Sequence, residues 1–127
     1  MPRTSKDEAE LVVQSEVLTS RHAELGEYTV AFEEYHVDAD GTPMFKGLPD
    51  DRCQCPHWGV VVRGELRLRY ADREEIYRGG DAYVAYPGHV PVVTAATEVV
   101  EFSPTVGLAE TLAVLAANMA ATSELTS

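Results

Sequence analysis

The sequence is short of basic residues. Ten Lys and Arg stand against 21 Asp and Glu, a formal net charge of −11 with a pI near 4.6. A field of that sign repels phosphate backbones and anionic lipid, so nucleic acid and the membrane surface are not expected partners. Long apolar runs are missing too. None approaches the ~20 residues needed to span a bilayer, and the first ten residues lack the apolar centre of a signal peptide. The expected location is the cytoplasm, where thiols stay reduced. Cysteine is scarce, two in 127 residues, and a Cys53–Cys55 bridge would close a small strained ring. Repeats and low-complexity segments are absent, and the length suits one domain with a single core.

Both cysteines fall in Cys53-Gln54-Cys55-Pro56-His57, directly before the apolar run Trp58-Gly59-Val60-Val61-Val62. On an extended strand, residues two apart point to the same face. Cys53, Cys55 and His57 therefore look into one space. Asp51 shares their phase but follows Pro49-Asp50 and reads as loop. A flat strand at ~3.3 Å per residue would separate positions 53 and 57 by about 13 Å. One ion can gather both only if the chain bends, and Pro56, which removes a ladder donor, supplies a reason for a bend.

Around this stretch the pattern is short strands punctuated by Gly and Pro, which argues for a β-sandwich or barrel. Residues 1–26 form an N-terminal segment with a first strand near Leu11–Leu18, although Ala9–Leu18 also reads as helix. Residues 27–104 form the barrel. Within it Tyr28, Val30 and Phe32 share one face and Thr29, Ala31 and Glu33 the other. Leu66, Leu68 and Tyr70 alternate with Glu65, Arg67 and Arg69, a strand with one dry face. Gly64, Asp40-Gly41, Gly79-Gly80-Asp81 and Pro87-Gly88 mark turns. Residues 105–127 are a helix and tail. Leu108, Leu112, Leu115 and Met119 recur at helical spacing over Thr105–Ala121, a face suited to packing on the barrel or on a second subunit. Glu101, His22 and His36 are expected at the surface, with Glu101 turned inward as the second reading; Tyr35, Tyr83 and Tyr86 are candidates for a pocket wall.

The ligand-rich strand, the apolar strand ending in Gly64, and then Gly80-Asp81 with Tyr86-Pro87-Gly88-His89 resemble the two motifs of the cupin superfamily. That resemblance, over roughly residues 27–104, implies an all-β double-stranded β-helix (jelly-roll barrel) with one divalent metal inside. It also implies a homodimer, since many small cupins pair. The usual first motif has a His-x-His pair and a glutamate. Counted from Gly47 the pair falls on Cys53 and Cys55; counted from Gly64 the glutamate falls on His57 and the second histidine on Cys53. The second-motif histidine position holds Pro91, with His89 two residues earlier. The implied metal ligands are thus Cys53, Cys55, His57 and His89, a Cys/His variant of the cupin site.

Thiolate and imidazole together favour zinc, with iron or copper as alternatives. Four protein ligands would close the site for a structural or sensing role; three would leave a position for water or substrate. Three functions stay open: a metal-binding cupin holding a small molecule, a metal-dependent enzyme such as a dioxygenase, isomerase or lyase, and a non-catalytic sensor.

Overall fold

The computed structural model describes residues 2–126. Ten strands precede one helix: β1 (Glu10–Gln14), β2 (Leu18–Leu25), β3 (Tyr28–Tyr35), β4 (Ala39–Asp40), β5 (His57–Arg63), β6 (Glu65–Arg69), β7 (Glu74–Arg78), β8 (Ala82–Ala85), β9 (Val90–Val93), β10 (Glu98–Pro104) and α1 (Thr105–Thr126). They form two antiparallel sheets, ordered β1-β2-β3-β10-β5-β8 and β4-β9-β6-β7. This is the jelly-roll arrangement. The N-terminal segment contributes two strands, β1 and β2, where one had been expected. No helix among the described residues is long and apolar enough to cross a membrane.

Turn chemistry sets the register. Gly64, between β5 and β6, has φ +87°, and a Cβ there would lie 2.3 Å from Thr97 Oγ1. Only glycine fits that corner. The dry face of β6 is buried as its alternation requires, with Leu66, Leu68 and Tyr70 joining Val61, Tyr83, Ala85, Val93 and Val99 in one core cluster. The outward arginines Arg67 and Arg69 bridge to Glu65, Glu74 and Asp40 at the surface.

A second cluster, Phe45, Leu48, Cys53, Cys55, Val90 and Leu108, lies where α1 covers the barrel. The helix packs on its own chain. Leu108 and Thr111 are buried, and Asn118 Nδ2 donates to the carbonyls of Met44 and Lys46. Its start is pinned by Thr105 N–H donating to Glu27 O at 3.0 Å and by the Thr29–Thr105 hydroxyl pair at 2.8 Å.

The six-stranded sheet carries its polar side chains inward. Across β3, β10 and β5, Phe32 faces Val100 and Val60, and Val30 faces Phe102 and Trp58. Trp58, Val60, Val62 and Phe102 are each 40–49% exposed on the outside. The opposite phase, with His22, Ala31, Glu33, His57, Val99, Glu101 and Ser103, lines a cavity of about 750 Å³ between the sheets, and the buried Ser20 lies in the same phase behind Glu33. Glu101 and His22 thus face the interior instead of the solvent, because their strands alternate about that cavity. Tyr35 lines it as well, while Tyr86 is exposed and His36 is at the surface beside Thr19.

Candidate metal centre

Cys53 lies just before β5, opposite His89, and the backbone locks the two together. Cys53 N–H donates to His89 O at 2.9 Å, and Gly88 N–H donates to Cys53 O at 2.7 Å. Asp51 stays outside, its carboxylate accepting from Gly47 N–H. Residues 54–56 leave the strand path, with a bend at Cys55. The bend brings Cys53 Sγ to 3.5 Å from His57 Nε2, far closer than a flat strand permits. One ligand atom from each of Cys53, His57 and His89 lies within 4.8 Å of the others, and all three residues are buried.

Cys55, expected in the same set, lies outside this group. Period-two alternation fails across the bend. Its thiol donates to Pro56 O at 3.5 Å and rests near Gly107 of α1. Burial, with the neighbouring Cys53 and Glu101 adding to it, pushes that thiol up to about 12. Its distance from the converging group, not its titration, is what separates Cys55 from Cys53.

The rings are oriented from behind. His89 Nδ1 is 2.7 Å from Tyr86 O, and since a carbonyl only accepts, Nδ1 carries the hydrogen. The neutral ring's Nε2 lone pair is then bare, and it has no hydrogen-bond partner among the described residues. Burial holds the His89 imidazole down at about 4, a shift that the neighbouring His57 reinforces and the Tyr86 carbonyl opposes. The ring is therefore neutral near pH 7. Tyr86 N–H in turn donates to the Tyr70 hydroxyl. His57 Nδ1 is 2.6 Å from Ser103 Oγ. Burial raises the Cys53 thiol, while hydrogen bonds with Cys55 O and Thr111 Oγ1 pull it down.

A second polar group occupies the same cavity wall. Glu33 and Glu101 are diagonal neighbours on the inner face of β3 and β10, since Glu33 pairs with Val99 and Glu101 with Ala31. Ser20 donates to Glu33 Oε2 at 3.1 Å, and the same oxygen of Ser20 receives His22 Nε2–H at 3.0 Å. Tyr83 donates to Glu101. Gly59 makes that bond sterically possible: a Cβ there would meet the Tyr83 ring at 2.7 Å. Burial, then the Glu101 charge, lifts the Glu33 carboxyl to about 7. Sequence reasoning named Glu101, His22 and Tyr83 but did not bring them together, and it passed over Ser20 and the inward role of Glu33. The usable signal was that Glu33 and Ala31 share the phase opposite Phe32, but the apolar phase is normally the one turned to the core, and here the cavity lies on the other side of the strand while Val30 is buried on its own side.

No family model matches the chain, and no curated protein matches it. Solved structures do. The chain is similar to KdgF from Halomonas sp. at 17% identity, covering 79% of this chain and 90% of that one with a TM-score of 0.55. It is similar to an RmlC-like cupin from Shewanella frigidimarina at 17% identity, covering 80% and 88%, TM-score 0.57. An iron(II) form of HppE bound to an alternative substrate matches at 13% identity and TM-score 0.55, covering 81% of this chain and 60% of that longer one. At such identities the likeness establishes the fold.

Proposed function

The chain has the cupin fold, and from that premise we propose that it is a metal-dependent protein acting on a small molecule, with one zinc ion held by Cys53, His57 and His89. The observation that carries this reading is the convergence of those three side chains on a cavity of about 750 Å³, within the range of small-molecule sites. The donor set fits the ion. His89 offers an unshared Nε2, and with His57 Nε2 engaged its Nδ1–H donates to Ser103, the outer support typical of ligating histidines. One thiolate and two imidazoles suit zinc.

Three protein ligands would leave a coordination position for water or substrate, which favours the enzyme reading over a closed structural site. When bound, the ion supplies Lewis acidity and a water of lowered pKa. The protein's part is to position it, to hold His89 neutral, and to keep bulk water from the ligands. Cys53 must shed its proton on binding, which ties affinity to pH.

Part of the same proposal is a homodimer through the outer face of the six-stranded sheet. Trp58, Val60, Val84, Val100 and Phe102 make an uncharged surface across β10, β5 and β8, the composition of an interface core.

Elemental analysis of protein purified without added metal tests the centre. One ion per chain is expected, falling towards zero in Cys53→Ser and His57→Ala and unchanged in Cys55→Ser. Cobalt substitution should give a sulfur-to-metal charge-transfer band in wild type that Cys53→Ser abolishes. Full metal content in Cys53→Ser would overturn the site.

A further inference from the structure

The cavity is charged on one side only. Glu16, Glu33, Asp38, Asp40 and Glu101 line it, and no lysine or arginine does among the described residues. Asp40 is satisfied by Arg69 and Thr42, and Asp38 accepts from Ala95 N–H. Glu33 and Glu101 differ, since their partners are the hydroxyls of Ser20 and Tyr83. His22, which reaches Glu33 through Ser20, is held toward its neutral form by burial. Two carboxyl groups thus face one cavity without a lysine or arginine among the described residues, an arrangement that burial makes costly once both are ionised unless something pairs with them.

The rest of the lining identifies the pairing group. Val17, Leu18, Phe45, Leu108, Leu112 and Leu115 form a hydrocarbon wall that suits a carbon skeleton and not a hydrated inorganic ion. We propose that the cavity takes a small organic cation, an amine with an apolar or aromatic body, whose ammonium group is received between Glu33 and Glu101. The inference uses the functional reading above only in taking this cavity as the ligand site. The charge preference belongs to Glu33 and Glu101, which are not among the metal ligands. It disfavours carboxylate and phosphate substrates, because an anion brought here meets like charge in a region of low dielectric.

Titration calorimetry at about pH 8, where Glu33 is ionised, with 2-phenylethylamine and the similarly shaped 3-phenylpropanoate as probes, decides it. A charge-assisted pair lost or gained is worth about tenfold or more in affinity. The amine is therefore expected to bind about tenfold or more tightly than the carboxylate, and Glu33→Gln and Glu101→Gln each to lose about that factor with metal content unchanged. Comparable or tighter binding of the carboxylate, no binding of the amine, or unchanged amine affinity in both variants would overturn the proposal. The comparison on unaltered protein stands even if a variant folds poorly. Repeating it on Cys53→Ser separates the two readings. Amine preference retained without metal supports the cation site alone, and preference lost with the metal overturns its independence.

Discussion

The two faces of the six-stranded sheet reverse the usual arrangement. Outside, Trp58, Val60, Val62 and Phe102 are exposed hydrocarbon; inside, Ser20, Glu33, His57, Glu101 and Ser103 form a polar wall. A sheet that only needed a core would turn the first set in. The difference marks the inner wall as the unusual one: inward polar groups are costly, and departures of that kind from simple core packing are expected at functional sites.

Three substitutions sharpen that contrast. The largest effect belongs to Glu33. Folding raises its carboxyl from 4.5 to about 7, so between those values the folded chain holds a proton that the unfolded chain has lost. Stability therefore falls as pH rises through this window and levels off above it. Glu33→Gln removes the effect: at pH 8 the variant should resist urea better by about 3 kcal/mol, and below about pH 4.5 that advantage should vanish. Equal urea midpoints at pH 8 would mean that the inner wall is not dry. Gly59→Ala comes next. Its methyl group would meet Tyr83 at 2.7 Å and Val100 O at 2.8 Å, and a loss of about 1–3 kcal/mol is expected in urea unfolding, as for overpacked cores. The smallest effect is expected from Val60→Asp on the outer face. Monomer stability should shift by about 0.5 kcal/mol or less, while light scattering should show the proposed dimer dissociating. A loss of several kcal/mol at constant mass would make the outer face a core surface after all.

Much of this was legible in the residues. Leu66, Leu68 and Tyr70 announced a half-buried strand, Gly64 a corner that excludes any Cβ, and Pro56 the departure from strand geometry that brings Cys53 to His57. His89 was found through its motif, and its backbone pairing with Cys53 explains why a position two residues early still reaches the centre. Cys55 does not join the other three because alternation assumes an unbroken strand, and the same bend that gathers its neighbours carries it toward α1. β2 was obscured by its polarity: His22 looks into the cavity and Ser20 is buried against Glu33, so their strand lacks the apolar phase that marks a buried edge. Glu101 was weighed toward solvent on residue type, since nothing local distinguishes a carboxylate facing water from one facing an enclosed site.

The terminal helix has a consequence of its own. Leu108, Thr111, Leu112, Leu115 and Met119 supply part of the cavity wall, and the Thr111 hydroxyl lies 3.8 Å from Cys53 Sγ. The strands and the side chains of Cys53, His57 and His89 are thus held by the barrel, while one side of the cavity is supplied by a single contiguous helix. Substitutions at 108, 112, 115 and 119 would reshape that wall while leaving the hydrogen-bond ladders of both sheets intact, so α1 is the element through which the cavity's shape can change with least disturbance to the rest of the fold.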